Sequence, residues 1–274
     1  PPVGYRLANP SDAKEAMAEL LSGAGVSISG ENIFDIEDAG GAVELAVTEA
    51  PVETGPTRLA YHPQRFALGV GCARNADPEE LWTNVSEQLS AANIAPGAIA
   101  CVTSLDLKGD EPAMTQLARR LGVPFRVFTA AELEAETARL ANPSDVVFAE
   151  VGCHGVSEGA ALAAAGPNAE LVIPKVKTAN TTCALARSPE VITEMRGRTR
   201  GKLSIVSIGP GQHTWRTPEA SHLLQEAEEL VGYGLYIDLI GPLAAGKTRS
   251  DFPLGGEEDR CRYALEQAGK GKNV

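Results

Sequence analysis

Reactive side chains in this sequence gather just after its apolar runs. Cys72 and Arg74 follow Phe66–Cys72, and Ser104, Asp106, Lys108, Asp110 and Glu111 follow Ala98–Ser104. Gly152, Cys153 and His154, with Glu158 beyond them, follow Val146–Val151. In an open α/β sheet the C-terminal ends of the strands converge on the ligand crevice, so these groups are candidates for binding and catalysis. The plainer alternative is that loops are polar wherever they fall.

Other stretches spell chemistry without its mechanism. Gly69-x-Gly71 begins a dinucleotide fingerprint, but Arg74 stands where the third glycine belongs and the next helix starts late, at Asp77. No helix N-terminus is then left for a pyrophosphate. Gly241 to Thr248 matches the Walker A letters, yet Arg249-Ser-Asp-Phe-Pro253 follows, and a proline at that depth breaks the helix a phosphate loop requires. The four histidines, at 62, 154, 213 and 222, show no metal-ligand spacing. Cys153-His154 reads as a loop pair after a strand, so no metal is expected. No G-x-S-x-G nucleophile elbow occurs.

The elements that must position these groups alternate. Strands are predicted over Phe66–Cys72, Ala98–Ser104, Phe125–Phe128 and Val146–Val151, with a fifth starting at Glu170–Ile173. Between them lie helices opened by Asp77-Pro78 and by Pro112, a third capped by Thr129 with Glu132, and an alanine-rich one over Val156–Ala165. The expected fold is α/β, a mainly parallel sheet covered by helices. Residues 1–63 form a separate segment, with an Asp12/Glu15 capping box, a face of Ala16, Leu20 and Leu21, and a strand from Ala42 to Val47. Residues 188–201 read as a linker. Lys202 to Ser207 is expected to be a buried strand feeding the glycine turn Gly209-Pro210-Gly211. A helix capped by Thr217 follows, its apolar face running through Leu223, Leu224, Ala227, Leu230 and Val231.

Composition narrows the class. With 274 residues, 43% hydrophobic and 22% charged, the chain has the make-up of a globular protein of one or two domains. No apolar run approaches the roughly 20 residues of a membrane helix, and Pro1-Pro2-Val3-Gly4 does not open a signal peptide. Five scattered cysteines fit reduced thiols, so a cytoplasmic location is expected. A net charge of −12 argues against a nucleic-acid partner.

Several spaced motifs agree in order with one family. Gly69-Val-Gly-Cys72, Ser104-x-Asp106-x-Lys108-x-Asp110-Glu111, Val151-Gly152, Val156-x-Glu158-x-Ala160-Ala-Leu162, Pro174-Lys175 and Thr182-x-Ala184-Leu-Ala186 resemble the C-terminal domain of cobalt-precorrin-5A hydrolase. That similarity covers about residues 60–187. It implies a corrin-ring substrate, a precorrin or cobalt-precorrin tetrapyrrole, whose δ-lactone is opened with release of acetaldehyde. Hydrolysis needs a base for water and a cation for the oxyanion. Glu158 or Asp106 is then the base and Lys108 or Lys175 the electrostatic partner. Cys72, Arg74, Ser104, Glu111, Gly152 and His154 line the substrate.

Lys202 to Gly211, Val231 to Ile240 and Phe252 to Leu265 resemble the opening of the tetrapyrrole methylase family, specifically precorrin-3B C17-methyltransferase. The resemblance implies the first part of a methylase α/β domain over residues 202–274, with Gly209, Pro210 and Gly211 on the S-adenosyl-L-methionine side. It also implies a homodimer through that domain. The match stops at Val274 before the family's second glycine-rich loop, so a fragment of a longer fusion protein is expected, one that binds no S-adenosyl-L-methionine by itself. The rival implied function is a non-catalytic tetrapyrrole-binding or carrier domain of the oxygen-dependent pathway.

Overall fold

The computed structural model describes residues 2–199, 201–269 and 271–274; Pro1 of the N-terminal segment and Arg200 of the linker lie outside the described residues. The chain divides into two units, one running through Gly197 and the other from Arg198 to Val274.

In the first unit, strands β1 (Tyr5–Leu7), β2 (Val26–Ser29), β3 (Val43–Val47) and β4 (Arg58–Pro63) form a small sheet in the order β1-β4-β3-β2. β2, β3 and β4 run parallel, and β1 pairs antiparallel with β4. Helix α1 (Ala13–Leu21) buries Ala16 against Val43, Leu45 and Leu59. The expected capping box does not form, because Asp12 makes no cap bond and instead accepts from Asn9 Nδ2 at 2.7 Å. Leu21 is exposed, so the buried face is narrower than the spacing implied.

The larger sheet of this unit is built from β5 (Phe66–Cys72), β6 (Ile99–Leu105), β7 (Phe125–Phe128), β8 (Glu170–Lys177) and β9 (Thr181–Arg187). These strands run in the order β7-β6-β5-β9-β8. β5, β6 and β7 are parallel; β9 is antiparallel to β5, and β8 to β9. The fold is α/β with a parallel-rich sheet, and its antiparallel edge is a hairpin. Helices α2 (Pro78–Ala91) and α3 (Pro112–Leu121) cover one face, packing Leu81, Val85, Leu89, Met114 and Leu117 on Phe66, Leu68, Val70 and Val102. Their ends follow local rules: Asp77 accepts from Glu79 N, and Gly122 stops α3 in the left-handed region.

The other face carries α4 (Ala130–Glu134), α5 (Asp145–Val151) and α6 (Val156–Ala165). Thr129 and Glu132 complete their capping box on α4. The predicted strand at Val146–Val151 is the helix α5. Ser144 accepts from Val147 N at its start, and Gly152, at φ 78°, closes its end. Both ends carried helix signals that the short apolar run obscured. α6 lies close on β5, and Gly69 makes the approach possible: a Cβ there would sit 1.9 Å from the Ser157 carbonyl oxygen.

The second unit opens on a two-residue strand, β10 (Arg198–Thr199), and continues through α7 (Pro218–Glu226), β11 (Glu229–Tyr233), α8 (Gly234–Ile240), β12 (Thr248–Phe252) and α9 (Glu257–Gly269). β11 and β12 pair in parallel. The strand expected over Lys202–Ser207 is not formed. Only a parallel bridge, Lys202 with Asn273, and the bond from Ser204 N to Val274 O hold its first residues. Among the described residues nothing pairs with the rest, and Ile205 stands exposed. α7 stops at Glu226, so Leu230 and Val231 belong to β11 and join Leu224, Ile237 and Ile240 in the core through a strand.

Candidate functional site

The predicted residues fall into two clusters along one edge of the larger sheet. The first lies where β5 and β6 end. Ser104 is buried and donates from Oγ to Val70 O at 2.7 Å, tying the two strands together rather than facing a ligand. Cys72, half-buried, closes β5; burial and then the Glu111 carboxylate push its thiol pKa up, against the opposing pull of Lys108 and Arg74. Glu111 sits before α3, only 2% exposed. Its Oε2 accepts from Asn75 N at 3.1 Å, while its Oε1 stands 3.0 Å from Arg74 Nη1 and 3.6 Å from Lys108 Nζ. Arg74 also donates to Asp110 at 2.9 Å and to Leu107 O at 2.7 Å. Asp106 is exposed on the one-turn helix Asp106–Lys108. A buried carboxylate therefore holds two cations at the rim of the sheet.

The second cluster centres on Glu158, in the first turn of α6 and 1% exposed. Its Oε2 accepts from Ala141 N at 2.8 Å and Asn142 N at 3.0 Å. Its Oε1 accepts from Asn142 Nδ2 at 2.8 Å and Lys175 N at 2.7 Å. Burial alone would raise its pKa, but these four donors outweigh that and hold it below the usual carboxylate range. With its lone pairs spent on donors, Glu158 is an anchor for the 141–142 loop and β8, and the role of general base assigned from sequence does not fit it. Lys175 donates from Nζ to Asn142 O at 3.0 Å, so it braces the same loop.

His154 belongs to this second cluster. Its backbone carbonyl accepts from Ser144 N at 2.8 Å. Its backbone N–H and its Nδ1 both meet Glu134, at 3.0 and 2.9 Å. Nε2 lies 3.5 Å from Asp145 Oδ1, and the ring stacks on Phe148 with centroids 4.5 Å apart. Gly152 serves as the turn that presents this loop, through its left-handed conformation. Glu134, Asn142, Asp145 and Phe148 were not legible as site residues; only the Thr129/Glu132 cap near Glu134 marked the local structure. The structure thus joins Glu158, Lys175 and His154, and separately joins Cys72, Arg74, Lys108 and Glu111. β6 and β8 are three strand steps apart, about 14 Å at roughly 4.8 Å per step. Lys108, on Glu111, and Lys175, on Asn142 O, therefore do not share one carboxylate.

In the second unit, Gly209 and Gly211 adopt φ of 63° and 105°. A cavity of about 770 Å³ is lined by Gly209 but not by Pro210 or Gly211, and otherwise by residues such as Leu203, Ile208, Leu230, Tyr236 and Leu265. S-adenosyl-L-methionine carries a carboxylate, an ammonium and a sulfonium. The charged groups lining the cavity are Arg260 and Glu229. Glu229 is spent on Lys272 Nζ, Tyr263 Oη and Ser250 Oγ, each at 2.7 Å. The residues present do not fit that cofactor. The Walker-like letters have another use: Lys247 donates to the carbonyls of Gln225 and Ala227 at 2.7 and 2.6 Å, and Thr248 starts strand β12 instead of a helix. Among the described residues no group of three His, Cys, Asp or Glu side chains can hold a metal ion, and no helix is long and apolar enough to cross a membrane.

The model of the family described as cobalamin synthesis G C-terminus matches residues 66–186. The chain is 46% identical over 131 residues to "Protein CobE" of Sinorhizobium sp, covering 48% of this chain and 85% of that protein. It is 30% identical over 141 residues to "Cobalt-precorrin-5A hydrolase" of Priestia megaterium, covering 52% of this chain but only 36% of that protein. A further 39% identity, over 72 residues, is shared with "Probable cobalt-factor III C(17)-methyltransferase" of Salmonella typhimurium, covering 26% of this chain and 30% of that protein.

Proposed function

Since the chain belongs to the cobalamin synthesis G C-terminus family, we propose that its first unit binds a cobalt-precorrin macrocycle along the rim of the larger sheet and serves the lactone-opening step. The observation that carries this reading is the two-sided rim. Arg74 and Lys108 stand over buried Glu111 at one side, and Lys175 at the other, as cations for the carboxylate side chains of a flat tetrapyrrole. An acidic chain cannot recruit such a polyanion through its overall field, so local cations must do it. In hydrolysis, water would add to the lactone carbonyl, the ring C–O bond would break, and the proton removed from water would reach the departing alkoxide.

A specific observation favours a second reading, binding without turnover: Glu158 and Lys175, two of the four groups nominated for catalysis, are consumed in holding the loop. The full chain incubated with the cobalt-precorrin-5A lactone separates the two. Acetaldehyde release supports the hydrolase step, tight binding without release supports a carrier, and neither outcome refutes macrocycle binding unless binding itself is absent.

The second unit we read as the opening part of a C17-methyltransferase domain, on the 39% identity shared over 72 residues with a C(17)-methyltransferase. Two neighbouring steps on one polypeptide would raise the local concentration of a labile intermediate. Sequencing the gene beyond the codon for Val274 tests this. An open frame completing a methylase is the expected result, and an immediate stop contradicts the fusion.

A further inference from the structure

The imidazole of His154 is held as a ligand would be. Glu134 receives both the backbone N–H of His154 and its ring Nδ1, the latter at 2.9 Å. A carboxylate oxygen accepts, so the N–H in this contact belongs to the ring. In the neutral ring the proton therefore sits on Nδ1, and Nε2 keeps its lone pair. Nε2 lies 3.5 Å from Asp145 Oδ1, a fully solvent-exposed carboxylate at the tip of α5 that can swing aside. One face of the ring is covered by Phe148, itself 44% exposed.

A carboxylate on one imidazole nitrogen fixes the tautomer and raises the basicity of the other, the outer-sphere arrangement that strengthens metal ligation. A bare ion would need several protein ligands, and among the described residues no group of three offers them. A metal already held in the plane of a tetrapyrrole needs only one axial donor. We propose that His154 Nε2 is the axial ligand to the cobalt of a bound corrinoid macrocycle, with Glu134 as its orienting partner and Phe148 stacked on the ring. This rests on the macrocycle-binding reading above. The other histidines do not share the arrangement: His62 is buried on Thr48 O, and His222 is paired with Glu226 on α7 of the second unit.

The test titrates the full chain with diaquacobyrinic acid, a corrinoid with free carboxylate side chains and no nucleotide base of its own. Visible spectra are followed for cobalt(III), and electron paramagnetic resonance for the cobalt(II) form. The expected result is a shift to the bands of an imidazole-ligated corrinoid, with nitrogen superhyperfine splitting in the cobalt(II) spectrum. His154→Ala should lose both signals and bind at least tenfold more weakly while keeping the wild-type circular dichroism and melting temperature. The unchanged melt separates a lost ligand from a lost fold. Glu134→Gln should keep nitrogen ligation but weaken it about 10- to 100-fold, and His222→Ala should behave as wild type. Cobyrinic acid that binds with unchanged spectra, or a shift that survives His154→Ala, overturns the ligand assignment and leaves macrocycle binding intact. A wild-type chain that does not bind cobyrinic acid overturns both.

Discussion

Replacing Glu158 by Gln removes a charge but almost no volume, and the structure says what that costs. Four N–H groups converge on the carboxylate, three from backbone and one from Asn142 Nδ2, all within 3.0 Å. An amide offers one carbonyl oxygen where the carboxylate had two, and its NH₂ faces donors on the other side. Two charge-assisted bonds are lost, each worth about 1.5–3 kcal/mol, and the donors they leave behind are buried. Neighbouring losses overlap, so about 3 kcal/mol is expected, a large fraction of the roughly 5–15 kcal/mol that keeps a domain folded. Urea unfolding followed by circular dichroism reads this directly. The pH dependence supplies the sign. Because the folded-state pKa is depressed, the stabilisation is fully present above the ordinary glutamate value of about 4.3 and is lost as the pH falls through the folded value. Glu158→Gln should erase that acid-side slope. A variant that keeps wild-type stability yet releases no acetaldehyde would restore Glu158 as the base and refute its role as an anchor.

Lys108→Ala should weaken corrinoid binding roughly tenfold, the share of one charge-assisted contact; an unchanged affinity by calorimetry would remove Lys108 from the binding rim. Lys247→Ala should cost about 1–2 kcal/mol by freeing two carbonyls and should leave thermal melts with ATP unchanged, so an ATP-dependent stabilisation that the variant abolishes would revive the phosphate-loop reading. Calorimetry with S-adenosyl-L-methionine should show nothing tighter than about millimolar, near −4 kcal/mol, whereas a micromolar constant would mean the second unit already holds a working cofactor site.

What could be read in advance was local. Asp77, Gly122 and the Thr129/Glu132 pair end helices through bonds to residues two to four positions away, so sequence alone displays both partners. Non-local chemistry was hidden. Glu158 looked like a base because its four donors come from positions 141, 142 and 175, and no spacing rule links these to an α6 glutamate. Val146–Val151 was ambiguous because six or seven apolar-rich residues suit a strand or a helix alike, and its exposed Val146 and Phe148 break the burial that a strand would have needed. Leu230 and Val231 continued a helical period by chance, while tertiary pairing with β12 made them a strand. His154 was visible as a residue, but its importance lay in Glu134, twenty positions away at the end of α4.

Gly69 carries a consequence for how the rim is tuned. Its missing side chain is a spacer set at zero: α6 rests on β5 where a methyl group would have to push the Ser157 carbonyl from 1.9 Å to an ordinary contact beyond 3.4 Å. A lift of about 1.5 Å would travel along a rigid helix whose first turn holds Glu158, and just ahead of which stands His154. The grip on the 141–142 loop, the position of Lys175 on its strand and the aim of the imidazole would all shift together. The sheet and the rim are thus one mechanical assembly with a common zero point, and small changes of side-chain volume beneath α6, far from any ligand, are levers on the geometry of the site.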